Sequence, residues 1–466
     1  MRRTIVLNVV GLTQELLPHA PNLARLAAQG AVRPLRTITP AVTCAVQSTF
    51  LTGLLPRDHG IVGNGWYFRD LSEILFWRQS NRLVAGEKLW DAARRRDPGF
   101  TCAQLFWWYN MYADVDISVT PRPIYPADGR KIPDIYTQPA DLRGELTHKL
   151  GAFPLFRFWG PAADITSSRW IARTALHVYA TRRPTLTLVY LPHLDYNLQR
   201  LGPRHPDIAR DVAAVDALCG EIIDRARRDG TEVIALSEYG ITSVSGAVHI
   251  NRLLRSAGWI AVREELGREM LDAGASDAFA VADHQIAHVH VRRRDLIPAV
   301  KELLDSVPGI EIVLDEDGKR AAGLDHPRAG DLVAISRADR WFTYYHWLDD
   351  DRAPDFARTV EIHRKPGYDP VELFIDPKMH LPRASIAWRL ARKALGFRTL
   401  MDVIPLDAGL VKGSHGRVTD RPEEGPLVIS SDPDALPTGA VEATRIRDLI
   451  LRHVFPMRAP VAEPVA

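Results

Sequence analysis

Four short stretches carry side chains able to do chemistry together: Thr43 in AVTCAVQSTFLTGLLPRDHG, Asp195 in YLPHLDYNLQRLGP, Glu238 in LSEYGI and His415 in KGSHGR. Thr43 opens a helical run that stops at Gly53. A hydroxyl at a helix N-cap meets free backbone amides and the positive end of the helix dipole. It is a candidate nucleophile there, because its alkoxide and an attached phosphoryl group would both be stabilised, and it serves equally as an ordinary cap. Carboxylates and imidazoles bind cations or move protons. Asp283 and His284 in AVADHQIAHVHV, and His193 just before Asp195, are further candidate ligands. His363, Arg364 and Lys365 in EIHRKPGYDPVELF, with Arg122 and Lys131, are cations that could meet a phosphate or simply line solvated loops. His59 in RDHG reads as a structural turn residue.

The elements that must position these groups alternate in type. TIVLNVV precedes APNLARLAAQG, TLTLVYLP precedes the long stretch DIARDVAAVDALCGEIIDRARRDG, and TEVIALSEYG precedes INRLLRSAG. Continuous apolar strands followed by helices predict an α/β fold, with a mostly parallel central sheet and helices on both faces. Ligands collect at the carboxyl ends of such strands. Gly11, Asp195, Glu238 and His415 each follow a strand or a glycine-flanked turn, so they can converge on one edge. Residues from about 64–165 and 340–405 break the rhythm with Trp, Tyr and Pro. That density suits cap-like insertions over a site, or simply more core. The expected organisation is one domain over 1–456 and a disordered tail at 457–466.

The 466 residues can bury a large core, and 59 Lys+Arg against 57 Asp+Glu leave a net charge of only +2. Nothing in that balance indicates a nucleic-acid surface. Cys44, Cys102 and Cys219 lack zinc or disulfide spacing, as in a reducing compartment. The N-terminal MRRTIVLNVVG superficially looks like a leader, but its apolar run is six residues, β-branched and closed by Gly11. No run reaches the roughly 20 apolar residues that span a bilayer. The expectation is a cytoplasmic protein with no membrane partner, its oligomeric state open.

The order of these motifs resembles the alkaline phosphatase superfamily, and most closely its type I phosphodiesterase/nucleotide pyrophosphatase branch. TFLTGLLPRDHGIVGN (49–64) carries most of the likeness, which spreads over residues 4–418. The resemblance implies an alkaline-phosphatase-like fold, Thr43 as nucleophile and two divalent metals, usually zinc. It also implies that Asp195 and His415 belong to one metal site. Four departures stand out: Val10 replaces an aspartate, Gln199 a histidine, Glu238 and Tyr239 an Asp-His pair, and Val46 an asparagine. The metal site nearest the nucleophile thereby loses a carboxylate and exchanges an imidazole for a phenol. The other keeps Asp195 and His415, with Gln199 as a neutral third donor.

By that resemblance the chain is expected to hydrolyse a small-molecule phosphate ester, like a phosphodiesterase or nucleotide pyrophosphatase. Thr43 would attack, a divalent metal, zinc by family habit, would sit at Asp195 and His415, and Glu238 would act as ligand or base. Gln199, Asp283 and His284 complete the candidate metal ligands. Two alternatives stand beside it: a catalytically silent relative that binds a metabolite or partner in the cleft, and metal-independent transfer with Glu238 as base.

Overall fold

Nine strands form the central sheet, in the order Val441–Glu442, Ala31–Arg36, Leu427–Ser430, Glu232–Leu236, Thr4–Val9, Leu186–Leu191, Cys102–Leu105, Ile117–Pro121, Ile135–Gln138. The computed structural model describes residues 1–456, so the expected tail at 457–466 lies outside the described residues. The five strands from Glu232–Leu236 to Ile117–Pro121 are parallel. Leu427–Ser430 and Ile135–Gln138 run antiparallel to their neighbours. All six residues of Thr4–Val9 are buried, as the unbroken apolar run requires of a strand covered on both faces.

Register decides where the chemistry sits. Asn8 lies opposite Tyr190 on one side and Leu236 on the other, so three adjacent strands end at one level. Their following loops leave the sheet together at its carboxyl edge. Gly11, at φ +74°, turns the chain there, and a Cβ on it would stand 2.8 Å from Leu198 Cδ1.

Helices cover the sheet on both sides. Pro21–Gln29, Ile165–Arg182 and Ile208–Arg228 pack together, as do Thr43–Thr52, Leu89–Arg96 and Ile446–Val454. In Ile208–Arg228 the buried Ile208, Val212, Val215, Cys219, Ile222 and Ala226 form the stripe that a 3.6-residue period places toward the sheet. Its buried Asp216 accepts from the Asn22 and Leu23 amides, so the first turn of Pro21–Gln29 is capped from a neighbouring helix rather than by its own sequence.

One segment differs from the sequence expectation. Residues 64–165 are not an insertion outside the sheet, because Cys102–Leu105, Ile117–Pro121 and Ile135–Gln138 extend it. Strands of four or five residues between aromatic loops leave too short a pattern to read. A separate four-stranded antiparallel sheet, Ala278–Asp283, Ile286–Val291, Leu332–Ser336 and Ile310–Leu314, has its own apolar core. In the 340–405 region Trp341, Tyr344, Tyr345 and Trp347 are buried in a third cluster, while the helix Pro382–Ala394 on top of it buries no residue fully. No helix among the described residues is long and apolar enough to cross a membrane.

Candidate active site

Thr43 is the first residue of its helix rather than the cap, because Val42 holds the extended cap conformation with no side-chain bond. The next helical amide, that of Cys44, donates to Asn64 Oδ1 at 3.0 Å. Asn64 therefore does the capping, from twenty residues on, and leaves the Thr43 hydroxyl free of that task. Thr43 Oγ1 instead lies 2.9 Å from the Tyr239 hydroxyl.

Glu238 and Tyr239 follow the strand Glu232–Leu236 after Ser237. The Tyr239 ring stacks on His415, centroids 3.6 Å apart and planes 7° from parallel. His415 is fixed by its loop: Nδ1–H donates to Ala41 O at 2.8 Å, while the Ala41 amide donates to Gly416 O at 2.9 Å. These bonds tie the C-terminal histidine to the segment entering the Thr43 helix. They also leave His415 Nε2 buried and without a partner, in the tautomer that presents a lone pair. Burial and the neighbouring His284 hold this imidazole well below its ordinary pKa.

Asp195 is the third residue of the helix His193–Leu201, so it sits one turn past the strand Leu186–Leu191. Gln199, one turn further on, donates to Asp195 Oδ2 at 2.8 Å. The other oxygen, Oδ1, lacks a hydrogen bond of normal geometry and lies 3.8 Å from His415 Nε2. Burial raises the Asp195 carboxyl to about 7, offset in part by hydrogen bonding to Gln199 and Tyr239. Glu238 is more enclosed. Its Oε1 accepts from Asn8 Nδ2 at 2.5 Å and from Gln47 Nε2 at 2.6 Å, while Oε2 has no partner. Burial pushes this carboxyl to about 8, against hydrogen bonds from Gln47, Asn8 and Thr43. At neutral pH Glu238 is mostly protonated and Asp195 is near its midpoint.

The remaining candidates are occupied otherwise. Asp283 Oδ2 accepts from the Asn64 amide at 2.7 Å, and Oδ1 accepts from Asn64 Nδ2 at 3.0 Å and faces His284 Nδ1 at 2.7 Å. Its lone pairs are spent on holding the turn at residues 283–285. His284, at φ +62°, stacks between Tyr368 and His415 at 3.6 and 3.7 Å. Gln199 Oε1 accepts from the Tyr368 hydroxyl at 3.0 Å, so the expected neutral oxygen donor is turned to a phenol. His193 Nε2 stands 3.2 Å from Asp211, although neither ring nitrogen makes a hydrogen bond of normal geometry, and His59 Nε2 pairs with Thr49 at 3.0 Å. Lys365 is buried between Asp369 and Glu372, 2.7 Å from each, and cannot reach a substrate. His363 is brought down to about 4 by burial, with Lys131, Arg78 and Arg122 adding to the shift.

The arrangement brings Thr43, Glu238, Tyr239, Asp195 and His415 to one place and sets Asp283 and His284 behind them as support. Among the described residues no group of three or more His, Cys, Asp or Glu side chains is arranged to hold an ion. Val10 is wholly buried hydrocarbon, and the Tyr239 phenol fills the space between Thr43 and Asp195. A two-ion cage does not fit this donor set. The donors left without a partner are Asp195 Oδ1 and His415 Nε2, 3.8 Å apart, two of the three or four protein ligands that a zinc site takes. Thr43 is only 4% exposed. A cavity of about 450 Å³ lies elsewhere, lined in part by His249, Arg252, Arg358 and Asp407.

Sequence reasoning missed Gln47, Asn64 and Tyr368. Gln47 stands one helical turn after Thr43 and also accepts from the Trp108 amide at 2.7 Å. A glutamine inside an otherwise buried helix is a signal, but a weak one, and Asn64 and Tyr368 stand in stretches noted for other residues.

Residues 4–369 match the family described as type I phosphodiesterase / nucleotide pyrophosphatase. Similar solved structures include phosphonoacetate hydrolase from Sinorhizobium meliloti 1021 in complex with phosphonoformate, at TM-score 0.62 and 14% identity over 97% of this chain and 96% of that one. An inactive variant of murine ectonucleotide pyrophosphatase / phosphodiesterase 5 in complex with AMP aligns at TM-score 0.60 and 14% identity, over 99% and 96% of the two chains. The human form of that protein gives 0.59 and 13%, over 99% and 96%. At these identities the likeness establishes the fold. No curated protein sequence matches the chain.

Proposed function

The chain belongs to the type I phosphodiesterase / nucleotide pyrophosphatase family, and from that premise we propose that it hydrolyses a small phosphate ester, with Thr43 as nucleophile. The observation that carries this reading is the 2.9 Å contact between the Thr43 and Tyr239 hydroxyls at the start of a buried helix. The phosphorus would bond to Thr43 Oγ1, and the hydroxyl proton would pass through the Tyr239 phenol to Asp195. With no ion bound, Asp195, held at about 7, can accept a proton at neutral pH and return it; as a ligand of a cation it would stay ionised and the metal charge would take over that task. Glu238, held at about 8, is better suited to donate a proton to the departing alkoxide than to act as the base or ligand first expected. Water then cleaves the phosphothreonine, restoring the hydroxyl. Lys131, Arg78 and Arg122 around His363, next to the Trp77 and Tyr368 rings, suit an anionic organic substrate.

Asp195 and His415 are the residues that would hold a divalent cation, zinc by the resemblance. Such an ion, when bound, supplies positive charge that favours the alkoxide and the phosphoryl oxygens. The test is hydrolysis of an aryl phosphodiester and an aryl phosphomonoester by purified protein of measured metal content. Turnover that falls at least about 10³-fold in Thr43→Ala supports the assignment. Turnover that survives the substitution, or is absent with and without added zinc, overturns it.

A second reading, a silent relative that binds a metabolite, is favoured by the 4% exposure of Thr43 and by the phenol at the lost metal position. AMP binding by a chain without turnover would support it, whereas turnover dependent on Thr43 would remove it.

A further inference from the structure

The segment at residues 377–401 has a charge and packing unlike the rest of the chain. It contains Lys378, Arg383, Arg389, Arg392, Lys393 and Arg398, and no Asp or Glu between Asp376 and Asp402, in a protein whose charges otherwise nearly cancel. Its centre is the helix Pro382–Ala394. At 100° per residue, Ile386, Leu390, Ala394, Ala387, Ala391, Ala384, Leu395 and Trp388 fall on one arc of roughly 200°, interrupted by Arg383 in the first turn, and Arg392, Arg389 and Lys393 fall opposite.

A helix of this pattern on a folded protein normally turns its apolar arc inward. This one does not. It touches the body through Ile386, which packs on the aromatic cluster beneath, and through Arg389, whose Nε donates to Asp402 at 2.8 Å. Ile386 lies at one edge of the arc and Arg389 beyond that edge, so the middle of the arc faces solvent. Leu381 is 78% exposed, Trp388 64%, Leu390 53%, Leu395 73%, Phe397 58% and Leu400 50%. Among the described residues, Lys378, Arg383, Arg392, Lys393 and Arg398 make no ion pair.

We propose that this helix and residues 395–400 seat the protein on an anionic lipid surface, with the helix lying in the membrane plane. Thirteen residues rise about 20 Å, too short to span the hydrocarbon yet suited to rest at the headgroup boundary. Leu, Phe and Trp enter the acyl margin while the flanking Arg and Lys side chains reach the headgroup charge. A second copy of the chain is a poor occupant, because two segments with six cations each repel. A convex apolar ridge bordered by cations also matches a deformable layer carrying continuous negative charge better than a preformed protein groove. The inference stands independently of the phosphate-ester reading.

Flotation of the full chain with lipid vesicles tests it. The protein should rise with phosphatidylcholine vesicles containing about 30% phosphatidylglycerol and stay down with phosphatidylcholine alone. Raising salt from about 0.1 M to about 0.5 M should release most of it. Replacing Arg392 and Lys393 by Gln should weaken partition roughly 25-fold, at about fivefold per cation. Trp388→Ser with Leu395→Ser should weaken it at least about tenfold. All four residues are exposed, so melting temperature should not change, and Arg173→Gln, on the helix Ile165–Arg182, should float like the parent. Failure to float with anionic vesicles overturns the proposal. So does flotation unaffected by both double variants, or capture of a soluble acidic protein by a chain that ignores vesicles.

Discussion

Replacing Glu238 by Gln should shift folding stability in the variant's favour as pH rises. Glu238 is fully buried and its carboxyl is raised from 4.5 to about 8. Between those values the folded chain holds a proton that the unfolded chain has released, so folding stability falls as pH rises through this window and levels off above about 8. At 1.36 kcal/mol per pH unit, the cost is nil at pH 4, roughly 3 kcal/mol at pH 7 and roughly 5 kcal/mol above pH 8. Gln keeps the carbonyl that accepts from Asn8 and Gln47 and removes the titration. Its amide nitrogen takes the place of Oε2, which has no partner, so a constant loss of about 1–3 kcal/mol is superimposed. The slope of the difference with pH is therefore diagnostic, not its absolute value. Asp195, raised to about 7, titrates in both proteins, and its charge adds to the Glu238 shift in the parent alone. Urea unfolding of parent and variant from pH 4.5 to 8.5 measures it. A difference that does not change with pH would refute the reasoning. A parent that gains on the variant as pH rises would show instead that the carboxylate is ionised and paired with a cation.

Three other perturbations have definite outcomes. Gly11→Ala places a Cβ 2.8 Å from Leu198 Cδ1 at φ +74°, and should cost about 1–3 kcal/mol in thermal or urea unfolding. Lys365→Met removes the cation from between the buried Asp369 and Glu372, and should lower stability by about 3–5 kcal/mol, with the loss shrinking as acid neutralises the carboxyls. Val10→Asp with Tyr239→His restores a carboxylate and an imidazole beside Thr43. That variant should be less stable than the parent in chelator and should recover with zinc, binding about one more equivalent by calorimetry; no zinc-dependent recovery would mean the pocket has closed around the phenol.

The alternation of apolar strands and helical stripes was legible because it is a local property: burial on both faces demands continuous hydrocarbon in Thr4–Val9 or Leu186–Leu191, whatever lies next to them. The convergence of Asp195 and Glu238 was legible as well, since strand ends at a common edge are a consequence of parallel order; Thr43 and His415 were placed with them by motif order. The short strands within 64–165 were not, because four or five residues among aromatic loops carry too little periodicity.

Residue types alone determined which groups could take a proton or an ion, and that Val10 and Tyr239 could not reproduce a pair of Asp/His cages. Tertiary structure decided which of those groups remained free. Asp283 is consumed by Asn64 and His284, Lys365 by Asp369 and Glu372, and Gln199 by Tyr368; the contacts to Asn64 and Tyr368 come from 219 and 169 residues away, whereas His284 and Asp369 are local. Thr43 is relieved of capping by Asn64 and meets a phenol from 196 residues away. A side chain's chemistry belongs to its residue type, but its hydrogen-bond partners and desolvation are set by whichever distant segments the packed fold brings against it.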